Sequence, residues 1–505
     1  MTGLWFDMNA SCARFGSGAH STAGRALFSK ARLITLVNFP LGGAVSLLLW
    51  RSLDWPLIGD ATIFHFIADE MRTGAMPYRD IYDVNMPLIY FIHLAVVAIG
   101  GMSDVAWRAF DLASAAVMSG LILMLVWRAG RALAIHAALI ALIVHLLLGP
   151  YSAGQRDYLM SIVALGAALL SIRAVENFRH RRVSLVLTGA IAAIAASIKP
   201  TGVLLLALPA IGMARLRWHD AIWTVIGAAT VGLVMIGLLA ALGAFWGLIE
   251  MVQRLMPLYA PLGSRPLYDI LGDTAVWLAP TGGLALAAML NLSAPKPPRS
   301  RIIIGLTVFG VIHLLAQRKG WFYHVYPLGI GLTCWGAYSL ASLSMRRSVL
   351  CVIVTAATLV WLVPGALTQA RSYPALRAAS AMQLALESRL PRGARVQVLD
   401  ADNGAFLAMA RAGMHHATPH IQWFSLLLAA NSVREEFIGA LEADPPAAIL
   451  LTNSQWPETS GFDIADHWPE FATLLASQYD LVQTGDEDAI AWRLYLARSA
   501  TQRNR

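Results

Sequence analysis

Between Leu53 and Tyr90 the chain reads LDWPLIGDATIFHFIADEMRTGAMPYRDIYDVNMPLIY, a polar stretch carrying Asp54, Asp60, Asp69, Glu70, Asp80 and Asp83 within an otherwise membrane-like first two thirds. Pro56, Pro77, Pro87 and two glycines punctuate its turns. Carboxylates gathered in a loop beside a bilayer point to chemistry on something delivered from the membrane. A solvated connecting loop is the plain alternative. A second set of chemistry-bearing side chains is cationic or nearly so: Arg156, Lys199, Arg318, Lys319 and His324 each sit at the edge of an apolar run.

The elements that must hold these residues follow from composition. Of 505 residues, 57% are hydrophobic and only 13% charged, with a mean hydropathy of +0.59. Those values lie outside the soluble globular range and define a polytopic α-helical membrane protein. The net charge is +8, but the cations fall in short clusters between apolar runs, where they act as topology signals and not as a nucleic-acid surface. Cys12, Cys334 and Cys351 are scattered, without the spacing of a disulfide framework or a metal site.

Apolar runs at about 31–50, 105–127, 132–150, 159–176, 183–199, 201–214, 219–247, 274–292, 301–316, 324–343 and 348–368 predict eleven crossings. The run from Pro87 to Gly101, at roughly 15 residues, is shorter than the roughly 20 a span needs. If it does not cross, the clusters Arg128/Arg131, Arg179/Arg181/Arg182, Arg215/Arg217, Lys296/Arg299/Arg301 and Arg346/Arg347 all share one side with the basic N-terminal tail, which carries Arg14, Arg25 and Lys30. The positive-inside rule makes that side cytoplasmic. The expected organisation is a cytoplasmic tail at 1–30, a transmembrane module at 31–370 whose first outer loop, 51–104, bears surface helices, and a domain at 371–505. Pro200 divides the run from 183 to 214 into two crossings.

From about Arg371 the pattern changes. RVQVLD (395–400) and AAILLTN (447–453) read as buried strands, helical periodicity covers 374–389, 403–413, 421–443 and 467–478, and YDLVQT with AIAWRLYLAR reads as a closing hairpin. This predicts a C-terminal extracytoplasmic α/β domain. It contains no GxGxxG, GxxxxGK[ST], HExxH or GxSxG motif.

The ordered set GDATIF, PYRDIYDVNMPLIYF, GQRDYLM, SIKPTG and QRKGWFYHVYP resembles the GT-C glycosyltransferases. Within them the bacterial branch similar to protein mannosyltransferases and to the aminoarabinose transferases of lipid A is nearest. The resemblance covers roughly residues 30 to 345. It implies a polyprenyl-phosphate-linked sugar donor and a glycan, lipid or protein acceptor. It also implies an aspartate in the first outer loop as general base, which by position is Asp60. Where the family often has acidic and aromatic residues after that acid, ATIF follows here. A plain role for Asp60 as the cap of a helix beginning at Ala61 is compatible with catalysis.

By the same resemblance Asp157 matches a second outer-side acid and is a second catalytic candidate, and Arg156 beside it would meet the donor phosphate, with a plain Arg/Asp pair at a helix start as the alternative. Lys199, Arg318, Lys319 and His324 lie on the face where lone cations run against the inside rule, and a lipid phosphate leaving group would account for them. Tyr323 and His324 equally suit an interfacial aromatic belt. Asp80 and Asp83 are candidates for positioning Arg79 or acceptor hydroxyls, with loop structure alone as the plain account, and Arg79 and Tyr323 are candidates for positioning substrate. No cofactor follows from the sequence. Asp69/Glu70 and Asp80/Asp83 are too few oxygens to decide on a divalent cation, so metal dependence stays open. The resemblance places the protein in a bacterial inner membrane. A polar-lipid transporter or flippase, or an envelope assembly protein, are the alternatives, and the absence of matching halves counts against a transporter.

Overall fold

The computed structural model describes residues 20–213, 217–368, 372–400, 403–421, 430–453 and 468–498. Cys12, Arg14, Arg215 and Arg371, and the stretch 422–429 of one expected helix, lie outside the described residues. Helix α1 (His20–Ser52) leads into the first loop, which holds α2 (Asp60–Arg72) and α3 (Leu88–Gly100). The bundle continues with α4 (Asp104–Val126), α5 (Arg131–Leu148), α6 (Arg156–Glu176), α7 (Arg181–Ile198), a 3₁₀ segment Pro200–Ala207 running into α8 (Leu208–Gly212), and α9 (Trp218–Ala241). Short helices α10 (Phe245–Glu250) and α11 (Met256–Tyr259) precede α12 (Leu267–Trp277), α13 (Gly282–Leu290), α14 (Pro298–Gln317), α15 (Tyr326–Ser342) and α16 (Met345–Thr368).

Eight of these helices are long and apolar enough to cross a membrane, and α12 with α13 forms a ninth candidate bent by 63°. The protein is a multi-pass membrane protein. The bend falls at Ala279–Thr281, where Pro280 cannot continue the helical ladder. Two of the eleven expected crossings are shorter. The Pro200–Gly212 stretch has eight residues in 3₁₀ geometry and five in α. At ~2 and ~1.5 Å per residue it reaches about 24 Å, so the tighter helix extends a short run toward bilayer thickness. Helix α15 has 17 residues and packs against α14, α13 and α5. Helix α3, with 13 residues, packs beside α2.

Inside the bundle Asp111 on α4 pairs with Arg108 and, at 3.1 Å, with His145 of α5, whose other ring nitrogen meets the Tyr326 hydroxyl of α15 at 2.7 Å. The second Asp111 oxygen accepts the Gly154 N–H at 3.0 Å. This buried carboxylate therefore pins three helices and the loop that delivers α6. Gly154 has φ +59, and a Cβ there would lie 2.1 Å from the Trp107 ring, so both its backbone and its surroundings demand glycine.

Beyond α16 the chain forms α17 (Pro374–Glu387), β1 (Arg395–Leu399), α18 (Ala405–Ala412), β2 (His415–His416), α19 (Asn431–Ala443), β3 (Ala448–Thr452), α20 (Pro469–Gln478), β4 (Tyr479–Glu487) and β5 (Ile490–Ala497). The sheet order is β2-β1-β3-β5-β4, with β1 parallel to β2 and β3, and β3-β5-β4 antiparallel. Strand β3 is buried at every position, as a parallel-type central strand covered on both faces must be. The β4–β5 turn places Asp488 and Ala489 at φ 51 and 73, the left-handed pair a tight hairpin needs.

The small domain rests on the first loop. Helix α18 packs on α2, with Phe406 against Phe66. The Tyr82 N–H donates to the Pro419 carbonyl at 2.7 Å. Ion pairs Glu70–His415 (2.8 Å), Arg254–Glu436 (2.6 Å) and Asp104–Arg411 (3.2 Å) ring the contact.

Candidate active site

Four chain segments reach one end of the bundle and stop there for local reasons. Helix α2 starts at Asp60, with Gly59 as its N-cap and no side-chain cap, so the Asp60 carboxylate is not used in closing the helix. Helix α6 starts at Arg156. Helix α7 ends because Lys199 precedes Pro200, which forces it into the extended region (φ −145, ψ 136). The following segment then folds back so tightly that a Cβ on Gly202 would lie 2.4 Å from the Ala195 backbone. Helix α14 ends at Gln317, after which Arg318 adopts a left-handed conformation at φ 53.

These ends enclose a cavity of about 260 Å³ whose walls include Asn85, Arg156, Lys199, Tyr259, Lys319 and Tyr323, with Gln317, Trp321 and His324 beside them. Arg156 donates to Asp60 at 3.0 Å, and the pair is partly exposed, at 14% and 18%. The guanidinium also lies over the Phe64 ring at 5.2 Å. Asp60 is thus one side chain behind the cavity wall.

Asp157 sits differently. It is fully buried, with the Lys199 ammonium 2.9 and 3.0 Å from its two oxygens and His313 Nε2 at 2.6 Å. A carboxylate only accepts, so His313 carries its proton on Nε2 and its Nδ1 accepts from the Thr201 hydroxyl at 2.7 Å. Lys199 is also 3.4 Å from the Gln317 amide oxygen and 5.9 Å from the Tyr323 ring centre. The network aims one ammonium at the cavity while its counter-charge stays behind it. Lys319, on the opposite wall, lies 3.4 Å from the Tyr259 ring centre.

Asp83 is buried and holds Asn85 through bonds of 2.7 Å to the amide and 3.3 Å to the backbone N–H. Burial pushes its carboxyl up to about 6, against the opposing pull of the Arg156 guanidinium.

Of the residues singled out in the sequence, Arg156, Lys199, Lys319, Tyr323 and His324 line one cavity, and Asp60, Asp83 and Asp157 stand directly behind its lining. Three lie elsewhere. Arg318 is exposed, and its carbonyl accepts the Arg265 N–H, because the left-handed turn at the end of α14 turns it away from the cavity that Lys319 enters. Arg79 and Asp80 form an exposed pair at 2.7 Å that braces the loop through the Gly74 and Leu242 carbonyls. Sequence reasoning missed Asn85, Tyr259, Gln317, Trp321, Thr201 and His313. Gln317 and Trp321 flank the basic pair in QRKGW and were within reach, whereas Tyr259 ends the short helix α11, in a stretch that carried no motif.

Among the described residues no group of three His, Cys, Asp or Glu side chains converges as a metal would require. The paired acids are engaged elsewhere, Asp69 by Arg72, Glu70 by His415 and Asp80 by Arg79. The paired acids that the sequence offers therefore do not converge on one point.

No protein-family model and no curated relative matches the sequence. Solved structures do match the fold. ArnT from Cupriavidus metallidurans bound to undecaprenyl phosphate aligns with a TM-score of 0.57 over 90% of this chain and 97% of its own, at 13% identity, and its apo state aligns equally well. An Archaeoglobus fulgidus oligosaccharyltransferase in the apo form gives 0.49 over 85% of this chain and 70% of its own, at 12% identity. The chain has a GT-C-like fold: a polytopic helical membrane module followed by a small C-terminal α/β domain.

Proposed function

We propose that this protein is an inverting membrane glycosyltransferase that takes a sugar from a polyprenyl-phosphate donor and passes it to an extracytoplasmic hydroxyl acceptor. The observation that carries this reading is the cavity in which Arg156, Lys199 and Lys319 converge while the partly exposed Asp60 stands at the Arg156 guanidinium. The ArnT structure with undecaprenyl phosphate supports the lipid carrier. In the proposed step the acceptor oxygen attacks the anomeric carbon as the bond from that carbon to the phosphate oxygen breaks. The bonding pair leaves with the polyprenyl phosphate, whose growing charge the three cations stabilise. The acceptor proton passes to the Asp60 carboxylate.

In this reading Asp157 is a positioning residue. It fixes the Lys199 ammonium, and it does so without occupying the cavity. In the same reading the N-terminus is cytoplasmic, the module spans 31–370 in a bacterial inner membrane, and the 371–505 domain is extracytoplasmic, on the acceptor side.

The direct test is purified full-length protein with radiolabelled undecaprenyl-phosphate sugar and a mixture of envelope acceptors. Labelled acceptor, abolished by Asp60→Asn, supports the proposal. Movement of the labelled lipid across vesicles without transfer sinks it in favour of a transporter.

A further inference from the structure

A larger cavity, of about 470 Å³, lies at the other end of the same helices. It forms where α1 enters the bundle at Lys30, where α4 gives way to α5 at Arg128 and Arg131, at the loop carrying Lys296, and where α15 ends. Helix α14 links the two cavities, starting two residues beyond Lys296 and ending at Gln317. Its 20 residues measure about 30 Å, the thickness of a hydrocarbon core. The two cavities therefore belong to opposite membrane faces.

Four cations line this second cavity and, among the described residues, no Asp or Glu does. Two of the four have protein roles. Lys30 donates to the carbonyls of Ala341 (3.1 Å), Leu340 (3.4 Å) and Leu343, compensating the carbonyl end of α15. Arg128 pairs with Glu176 at 3.2 Å, although Glu176 is already held by both arms of Arg299. Arg131 has only the Trp127 ring, 5.3 Å away, and Lys296 only the Asn291 carbonyl, so neither has a carboxylate partner among the described residues. Positive charge faces a partly open space that offers no carboxylate among the described residues.

We infer that this cavity binds the phosphate of an anionic phospholipid headgroup. Phosphate supplies the negative charge that Arg131 and Lys296 lack as a partner, with acceptor oxygens for both. A lipid fits better than a soluble anion because α1, whose Lys30 forms the cavity edge, presents Leu36 and Phe39 at 67% and 74% exposure, an apolar surface along which acyl chains can lie. Basic pockets between membrane helices are a recurring way of holding such headgroups.

Native mass spectrometry of the full chain in detergent, offered phosphatidylglycerol or phosphatidylcholine, tests this. Phosphatidylglycerol should be retained preferentially, and Arg131→Gln with Lys296→Gln should lower its retention by roughly tenfold or more, as expected for loss of charge-assisted contacts. Arg131→Lys should recover part of it. Ala294→Trp, which fills the cavity without altering charge, should block retention and serves if the double variant does not fold. Equal retention of the two lipids, or undiminished phosphatidylglycerol in Ala294→Trp, overturns the inference. So does displacement of the lipid by millimolar inorganic phosphate, which marks a soluble-anion site. None of these residues touches the transfer cavity, so a negative result leaves the transferase reading standing.

Discussion

Asp60 and Asp157 are carboxylates serving one cavity, each paired with a cation that lines it, yet their surroundings differ sharply. Asp60 is partly exposed and bonded through one oxygen to Arg156, whereas Asp157 is sealed between Lys199 and His313. A group that must accept a substrate proton needs a free lone pair and access. A group that must hold an ammonium in place needs neither. The same side chain is thus suited to two tasks by burial and partner count alone, and substitutions can separate them.

The largest expected effect is on turnover. Asp60→Asn keeps size and the Arg156 contact but removes basicity, and transfer should fall ~10²-fold to ~10⁴-fold with lipid binding and melting temperature retained. Near-normal turnover in a folded Asp60→Asn protein would move the base to Asp83 or Asp157. Asp157→Asn should act on the fold instead, because it strands the Lys199 ammonium in a buried position. A loss of roughly 3 kcal/mol or more is expected, visible as a lower thermal midpoint in detergent. If Asp157→Asn left stability untouched and abolished only turnover, the division between the two acids would be wrong.

Lys319→Ala should weaken capture of the polyprenyl-phosphate donor about tenfold, seen as a raised KM at little change in kcat. Arg318→Ala, one residue away but exposed, should change stability and donor affinity by no more than about 0.5 kcal/mol. An Arg318→Ala effect as large as that of Lys319→Ala would mean that the left-handed turn does not hold in the functioning protein.

A separate effect is on pH dependence. The Asp83 carboxyl is raised from its ordinary 3.8 to about 6 in the folded protein. The folded state therefore keeps a proton that the unfolded state has lost, and stability declines as pH rises from about 3.8 toward 6. Asp83→Asn should flatten that decline in thermal midpoints measured across this range, and an unchanged slope would show that Asp83 is not its source.

Much of this arrangement was legible in the chain because it depends on local rules. Each of the eleven apolar runs carries helical backbone, the Lys199-Pro200 step ends a helix as proline sterics require, and the strands and hairpin near the C-terminus lie where alternation and buried runs placed them. Pairings across the sequence were not legible. Asp157 meets Lys199 and His313 at separations of 42 and 156 residues, and no periodicity encodes which helices are neighbours. Arg156 and Asp157 look like a pair in QRDY, yet successive positions on a helix point about 100° apart, so each finds a different partner. Strand β2, only two residues long, has no pattern to read.

The contact between α2 and the C-terminal domain gives the first loop a mechanical character. Asp60 is at one end of α2, and Glu70, gripped by His415, is near the other. A helix of 13 residues is a stiff arm of about 20 Å, so tilting its clamped end by about 5° swings the carboxylate by about 2 Å. Misplacement of a catalytic group by even ~1 Å can cost two orders of magnitude in rate. A partner docked on the C-terminal domain would hold the far end of a lever, with the proposed base at its tip.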